Sequence, residues 1–538
     1  MMPFEHLGTM LDCSRNAVYS VKALKRWIDL TADLGYNTLM LYTEDTYEVD
    51  NQPYFGHFRG RYSREELQEI DAYAKERGME LIPCIQTLAH LNALMRWPQY
   101  MAIRDTDDIL LAEDERTYQL VEDMFRSLAA SFTSRLVNIG MDEAHMVGLG
   151  RYLDQHGFTD RTQILVRHLA RVAEIAARYG FECLMWGDMF FRLATHGEYY
   201  AEDVVVTDEI RAMIPDNVRL VYWDYYSQDA KKYSQMMAAH NRIKDGCWFA
   251  GGLWTWSGFA PHNYFSLNTV KEAFRGIQEQ GTKDVFLTFS GDNGGECSPF
   301  AMLPSLFYAS ELAKGNSRLP AIKAAFKEKY GISFDRYLLL DLPDTFESRQ
   351  EASHNIYNAD KYMLYNDLFM GALDSTAIPG GAEEFARAGR RLARVDAGEF
   401  NYLFKAEKAL CDVLSIKYDL GLRTRAAYEK KDLEALKALT SDYKKLIDRL
   451  EIFYKVYREA WMKDKKPQGF DVQDIRLGGL SRRIRHCLER LEAYLAGEIT
   501  CIEELDEPAL DAMGGGKEFT HKPLQYNSWS GTVSSNVL

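Results

Sequence analysis

Eight short β-type runs alternate with helix-length amphipathic runs between the start of the chain and about residue 312, and that rhythm leaves few folds open. The strand-like runs are residues 7–13, 38–42, 80–85, 136–141, 182–186, 218–223, 248–254 and 285–289. Between them, residues 21–34, 64–77, 117–132, 163–179, 230–243 and 267–280 repeat apolar positions three and four apart, as helices with one buried face do. Five of these helices stop at a glycine just before the next strand, Gly35, Gly78, Gly180, Gly246 and Gly281, where a left-handed cap costs little. The stretch DVVVTDEIRAMI, between the fifth and sixth strands, is short and partly strand-like. Eight units in roughly 310 residues predict a (β/α)8 TIM barrel. A doubly wound sheet would carry a glycine-rich dinucleotide turn after its first strand, and no GxGxxG occurs there.

A chain of 538 residues exceeds what one hydrophobic core usually supports, so a second domain is expected. After about residue 316 the pattern changes to long helical stretches such as LEALKALTSDYKKLIDRLEIFYKVYREAWM. The reading is an α/β catalytic barrel over 1–315, a mostly α-helical domain over 316–502, and a tail over 503–538. In that tail GGG at 514–516 acts as a joint before a short extended segment. The tail could dock on the body or on a partner subunit, which leaves a homodimer open. A net charge of −15 argues against nucleic acid and anionic membrane surfaces, which need clustered Lys and Arg. A neutral small substrate fits better. No run reaches the ~18 apolar residues of a membrane span, and the N-terminus has no cationic run before an apolar stretch. Eight dispersed cysteines, with Cys13, Cys84, Cys183 and Cys247 in or beside strand-like runs, read as reduced, buried thiols. A cytoplasmic location is the expectation.

In barrel enzymes the reacting groups sit at the C-terminal ends of the strands. The predicted strands end, in order, at Asp12 and Arg15; Glu44 and Asp45; His90; Asp142 and Glu143; Trp186 and Asp188; Trp223, Asp224 and Tyr225; Trp254 and Trp256; and Asp292 and Glu296. Carboxylates, a histidine and an arginine over tryptophans suit a sugar, whose hydroxyls need polar partners and whose C–H face stacks on indole. A single strand-end tryptophan is more often core than platform. Four such strand ends favour the platform. Arg15 and Asp45 read equally well as an ion pair at the barrel mouth, and His90 as a core histidine or as support for a carboxylate.

The sharpest element is RLVNIGMDEAH, in which an apolar run ends at Asp142 and Glu143. If two adjacent acids are buried together, one should hold its proton near neutrality while the other stays anionic. Standing alone, the pair would more simply cap the next helix. An ATPase reading of DEAH lacks an upstream GxxxxGK[ST], the near match GGGKE lying at 514–518. A zinc site of Asp142, His145 and His90 lacks HExxH spacing and any cysteine cluster, and stays a minor alternative. No cofactor or metal is expected.

In this barrel context the chain resembles glycoside hydrolase family 20, the β-N-acetylhexosaminidases, at LDCSRN, GYNTLMLYTED, the third-strand loop with His90, and GMDEA. The resemblance implies that Glu143 donates a proton to the glycosidic oxygen and that Asp142 orients the sugar's 2-acetamido group. It implies Arg15 and Asp45 as hydroxyl-binding groups, His90 as a supporting histidine, and Trp186 and Trp223 as walls of the acetamido pocket, with Trp254 or Trp256 beside them. The late acid for the outer hydroxyls falls on Asp292, where SGDNGG replaces the more usual aromatic-Gly-Glu. The seventh strand, GGLWTWSGF, lacks the tyrosine that many members use for the acetamido carbonyl, and Tyr225 stands in for it. Many members carry an α/β domain ahead of the barrel that this sequence lacks, and the helical C-terminal region resembles a subgroup only. The implied activity is that of a retaining exo-β-N-acetylhexosaminidase acting on terminal β-linked GlcNAc or GalNAc of an oligosaccharide or glycoconjugate through an oxazolinium intermediate. The rivals are a conventional β-glycosidase with Asp292 or Glu296 as nucleophile, and a non-catalytic hexosamine-binding barrel.

Overall fold

The structure, a computed structural model, describes residues 4–345 and 349–511. The predicted glycine joint and extended segment of the tail lie outside the described residues. Eight parallel strands close in sequence order: β1 His6–Asp12, β2 Thr38–Glu44, β3 Glu80–Ile85, β4 Leu136–Asn138, β5 Glu182–Trp186, β6 Val218–Trp223, β7 Trp248–Gly252 and β8 Asp284–Phe289. The first and last strands join with Leu7 opposite Val285 and Leu11 opposite Phe289. All seven residues of β2 are buried, as expected where side chains fill the barrel on one face and meet helices on the other. At the N-terminal mouth, the His6 ring bonds Asp284 at 2.6 Å, approaches Glu80 and stacks on Trp248. Hydrogen bonds to Asp284 and Glu80 outweigh burial and raise its pKa to about 9. That face is tied for stability.

The glycine punctuation is present in the backbone. Gly35, Gly78, Gly180, Gly246 and Gly281 all have positive φ. Gly35 ends the helix Val21–Leu34 in the left-handed region with its N–H on Ala32 O. The connection between β5 and β6 is two short helices, Asp188–Ala194 and Asp208–Ala212. Three strands stop earlier than their apolar runs predict, the first by a single residue, at Asp12. The seventh ends at Gly252. The fourth ends at Asn138, whose side-chain oxygen accepts the Gly140 N–H at 2.9 Å, after which Gly140 and Met141 both turn left-handed.

The described chain forms two compact units. The barrel strands lie in the first, made of residues up to Leu253, Asn268–Ser290 and Phe307–Ser317. The second contains Trp254–Leu267, Gly291–Leu306 and the residues from Arg318 onward, and is mostly helical. Its longest helices, Leu433–Asp464 and Phe470–Leu495, are joined by Tyr454 OH donating to Asp474 at 2.7 Å. None of the eight cysteines is in a disulfide, and seven are buried. No helix among the described residues is long and apolar enough to cross a membrane.

Candidate functional site

At the C-terminal mouth of the barrel, the chain leaves β4 in an unusual conformation. Met141 and Glu143 both have left-handed backbones, φ 69° and 51°, and Asp142 lies between them. Side chains of neighbouring strand ends hold the two strained positions. The Met141 N–H donates to Gln86 Oε1 at 3.1 Å, and the Glu143 N–H donates to Asp188 Oδ2 at 3.1 Å. Strain of ~1–3 kcal/mol per such residue persists only where the surroundings over-determine it, and it gathers at functional sites.

Asp142 is gripped from two further sides. Gln86 Nε2 donates to its Oδ1 at 2.7 Å and His90 Nε2 lies 3.2 Å from its Oδ2. Burial would lift this carboxyl. The charge and hydrogen bond of His90, together with Gln86, outweigh burial and hold it below the usual aspartate value. Burial likewise opposes charge on His90, but Asp142 prevails and raises the imidazole to about 10. His90 is thus a support for Asp142, with Glu143 Oε2 3.8 Å away. The Glu143 side chain is 41% exposed, against 18% for Asp142, so Glu143 faces outward while its neighbour is enclosed.

The two adjacent acids are therefore not buried together, so the condition under which one of them would hold its proton by enclosure is not met. The acid raised by enclosure is Asp188, which has no exposed surface. Burial first, then the charge of Asp142, push it to about 7 against the pull of Arg192. The Arg192 Nε donates to Asp188 Oδ2 at 3.0 Å, and its Nη2 lies 3.6 Å from Glu143 Oε1.

The network continues across β3, β2 and β1. Gln86 Nε2 also donates to Tyr42 OH at 3.0 Å, Tyr42 OH donates to Glu44 Oε1 at 3.1 Å, and Arg15 Nε donates to the same oxygen at 3.2 Å. Arg15 thus pairs with Glu44. Asp45 pairs with Arg59 instead, whose Nε donates to Oδ1 at 2.8 Å and whose guanidinium also bonds Ser14 O. Burial raises both acids, with Arg15 and Arg59 opposing. Asp45 Oδ2 and Trp186 Nε1 are buried without a hydrogen-bond partner among the described residues. Buried polar atoms are seldom left so, and a ligand rich in hydroxyls is one natural partner.

An aromatic wall stands beyond β5 and β6. Trp223 stacks on Tyr225 at 5.2 Å and packs on Tyr199 at 4.8 Å, and the Arg192 guanidinium lies over the Tyr199 and Trp223 rings. Trp186, 3% exposed, packs against Phe286. Trp254, Trp256, Asp292 and Glu296 belong to the second compact unit. There Trp254 and Trp256 stack at 4.1 Å, and Asp292 opens a short 3₁₀ turn. Glu296 in the same unit is bound by Lys361 Nζ at 2.8 Å and Arg476 Nη1 at 2.9 Å. These cations outweigh burial and lower its pKa. A carboxylate so tied is a structural ion cluster and a poor nucleophile.

Sequence reasoning passed over Gln86, Tyr42 and Arg192. Gln86 and Arg192 lie in no motif, and Tyr42, although inside GYNTLMLYTED, was given no role. Gln86 is one uncharged residue past β3, and Arg192 is visible only as the i+4 partner of Asp188 on a short helix that the strand and helix rhythm did not single out. Among the described residues, no group of three or more His, Cys, Asp or Glu side chains could hold a metal ion.

The family model described as Glycosyl hydrolase family 20, catalytic domain, matches residues 4–243, and that of the Glycoside Hydrolase 20C C-terminal domain matches residues 335–522. Together they cover well over half of the chain. The chain belongs to glycoside hydrolase family 20. Asp142, Glu143, Arg15, Asp45, His90, Trp186, Trp223 and Tyr225 fall inside the family 20 catalytic match, whereas Trp254, Trp256 and Asp292 lie between the two matched segments. A Beta-hexosaminidase of Vibrio furnissii is 27% identical to it over 247 residues, covering 38% of this chain and 39% of that protein. Hexosaminidase D of Bos taurus is 26% identical over 242 residues, covering 42% and 63%. The chain thus spans less than two thirds of the length of either relative. Among solved structures, the GH20 Exo beta-N-Acetylglucosaminidase from Vibrio harveyi, in complex with N-acetylglucosamine, is similar at 16% identity and a TM-score of 0.47, over 63% of this chain and 58% of that one.

Proposed function

We propose that this family 20 protein is a retaining exo-β-N-acetylhexosaminidase that removes terminal non-reducing β-linked GlcNAc or GalNAc with the help of the sugar's own acetamido group. The observation that carries the reading is the division of labour between neighbours. Asp142 is enclosed and held as an anion by His90 and Gln86, while Glu143 presents its carboxyl outward beside it.

An enclosed anion suits an amide N–H better than a proton-transfer task. The acetamido oxygen attacks the anomeric carbon as Glu143 protonates the departing glycosidic oxygen. Asp142 aligns the amide and offsets the positive charge that develops on its nitrogen in the oxazolinium ion. Glu143 then takes a proton from water, which attacks the anomeric carbon and restores the acetamido group with retained configuration. This is the substrate-assisted route, in which no protein carboxylate acts as nucleophile. In the same proposal Arg15 and Asp45 bind ring hydroxyls, Trp186 and Trp223 enclose the acetamido group, and the Tyr225 hydroxyl bonds its carbonyl. The ion pairs that hold Glu296 weigh against a conventional glycosidase using that acid. A cytoplasmic location, for which eight cysteines outside any disulfide speak, belongs to the proposal.

The test compares wild type with Glu143→Gln on an aryl β-N-acetylglucosaminide and on the plain aryl β-glucoside. Hydrolysis of the N-acetyl substrate alone is expected, with the substitution lowering kcat by ~10²- to 10⁴-fold and the thermal midpoint unchanged. Turnover of the plain glucoside at a comparable rate would overturn substrate assistance. Binding of N-acetylglucosamine with no hydrolysis by wild type would favour a sugar-binding barrel.

A further inference from the structure

The left-handed backbone of Glu143 needs something to hold it, and one buried acid does so. Asp188 is the first residue of the helix Asp188–Ala194, one position past the N-cap from which an aspartate would bond the helix's own amides. Here the helix N-cap is Gly187, with no side-chain cap. Asp188 Oδ2 instead takes the Glu143 N–H at 3.1 Å and the Arg192 Nε at 3.0 Å. Arg192 stands one turn further along the same helix and brings its Nη2 to 3.6 Å from Glu143 Oε1. Its guanidinium is flanked by the rings of Tyr199 and Trp223, 5.5 and 5.9 Å from their centroids, which restricts its swing. One fully buried carboxylate therefore fixes both the backbone of Glu143 and a cation that reaches the Glu143 side chain.

We propose that Asp188 and Arg192 are positioning residues that aim the Glu143 carboxyl at the leaving oxygen and hold it there once it has become an anion. The inference rests on Glu143 being the acid and base of the reaction. When the bond from the anomeric carbon to the leaving oxygen breaks, that oxygen takes the Glu143 proton and the acetamido oxygen bonds to the carbon. Glu143 stays a carboxylate until water returns a proton. Arg192 sits beside that charge through the interval, and Asp188 keeps Arg192 from collapsing onto it.

Leaving-group dependence separates this role from a structural one, because a nitrophenolate departs with little protonation whereas an alkoxide needs all of it. The variants are Asp188→Ala, Asp188→Asn and Arg192→Met, assayed on a nitrophenyl and on a methyl β-N-acetylglucosaminide. For Asp188→Ala and Arg192→Met we expect kcat/KM on the methyl glycoside to fall by ~100-fold, the scale of a 1 Å misplacement, and on the nitrophenyl glycoside by less than ~10-fold. Asp188→Asn keeps an oxygen for the Glu143 N–H and should fall between Asp188→Ala and wild type. Affinity for a thiazoline analogue of the oxazolinium ion should change little. Equal losses on both substrates, or none, would overturn the proposal, and Arg192→Met carries the test should Asp188→Ala not fold. Glu143→Gln run on the same pair distinguishes the two failures. If it shows no leaving-group dependence, the acid assignment itself falls. If it does while the other variants do not, only the positioning role is lost.

Discussion

Asp142 is a carboxylate that burial alone would keep neutral, and His90 reverses the outcome. The depressed pKa of Asp142 means that its share of stability is present above its unfolded value and fades as the pH falls through the folded one. His90 works from the other side. Its pKa, raised from 6.5 to about 10, gives a contribution complete below 6.5 and lost as the pH climbs through about 10. The pair is therefore intact through the neutral range where Asp142 must be an anion. In His90→Gln, Asp142 keeps its burial but loses the cation, so its pKa should rise. The acid limb of the kcat/KM profile should move to higher pH, while the alkaline limb stays. An unmoved acid limb would show that His90 does not set the charge of Asp142. The acid pair and His90 were legible in the sequence because each lies in the loop just after a barrel strand, and chemistry collects there. Gln86 was not, since an uncharged residue in CIQTLAH gives no pattern until the fold sets it 2.7 Å from Asp142.

The element that decides the site is the turn leaving β4. Its sequence, LVNIGMDEAH, reads as strand through Met141, yet the strand has three residues. Periodicity reports which residues are buried, and Ile139 and Met141 are fully buried, so the apolar run continues past the end of the ladder. Gly140 makes the turn possible. Its φ is +75°, and an added Cβ would sit 2.0 Å from Gln86 Oε1 and 2.8 Å from Ile85 O. Gly140→Ala must therefore both adopt a left-handed backbone, at ~1–2 kcal/mol, and push away the amide that holds Asp142 and the Met141 N–H. The expected result is a modest fall in the urea midpoint with a fall in kcat of ~100-fold or more, disproportionate to the stability lost. Activity declining only in step with stability would mean that Gln86 can move without disturbing Asp142. The glycines that end helices were easier to read. Gly35, Gly78, Gly180, Gly246 and Gly281 follow amphipathic runs, where the pattern and the backbone requirement coincide. DVVVTDEIRAMI offered no such agreement, and its connection is only two short helices, the first carrying Asp188 and Arg192.

Across the whole molecule, much buried charge lies apart from the acid pair. In the second compact unit burial pushes Asp341 to about 7 and Asp360 and Asp374 to about 6, and holds Asp344 and Glu407 well above their ordinary values. Asp344 and Asp360 also repel each other's charge. An acid whose pKa is raised on folding favours the folded state while protonated, and that advantage is lost as the pH rises from the unfolded toward the folded value. His262, lowered by burial to about 4, acts in the opposite sense below 6.5, but it is one group against several. The net expectation inverts ordinary acid denaturation, with the second unit loosening as the pH rises toward the folded values of about 6 and about 7. Glu407 isolates the effect, because its Oε2 is buried with no hydrogen-bond partner among the described residues. Glu407→Gln removes the titration and keeps the shape, so it should flatten the slope by ~1 kcal/mol per pH unit. Hydrogen exchange of the helix Asn401–Lys417, corrected for intrinsic rates, reads this locally. Protection in wild type should fall with rising pH and in Glu407→Gln fall less, whereas parallel curves would mean that the Glu407 carboxyl finds a partner or water that lets it ionise.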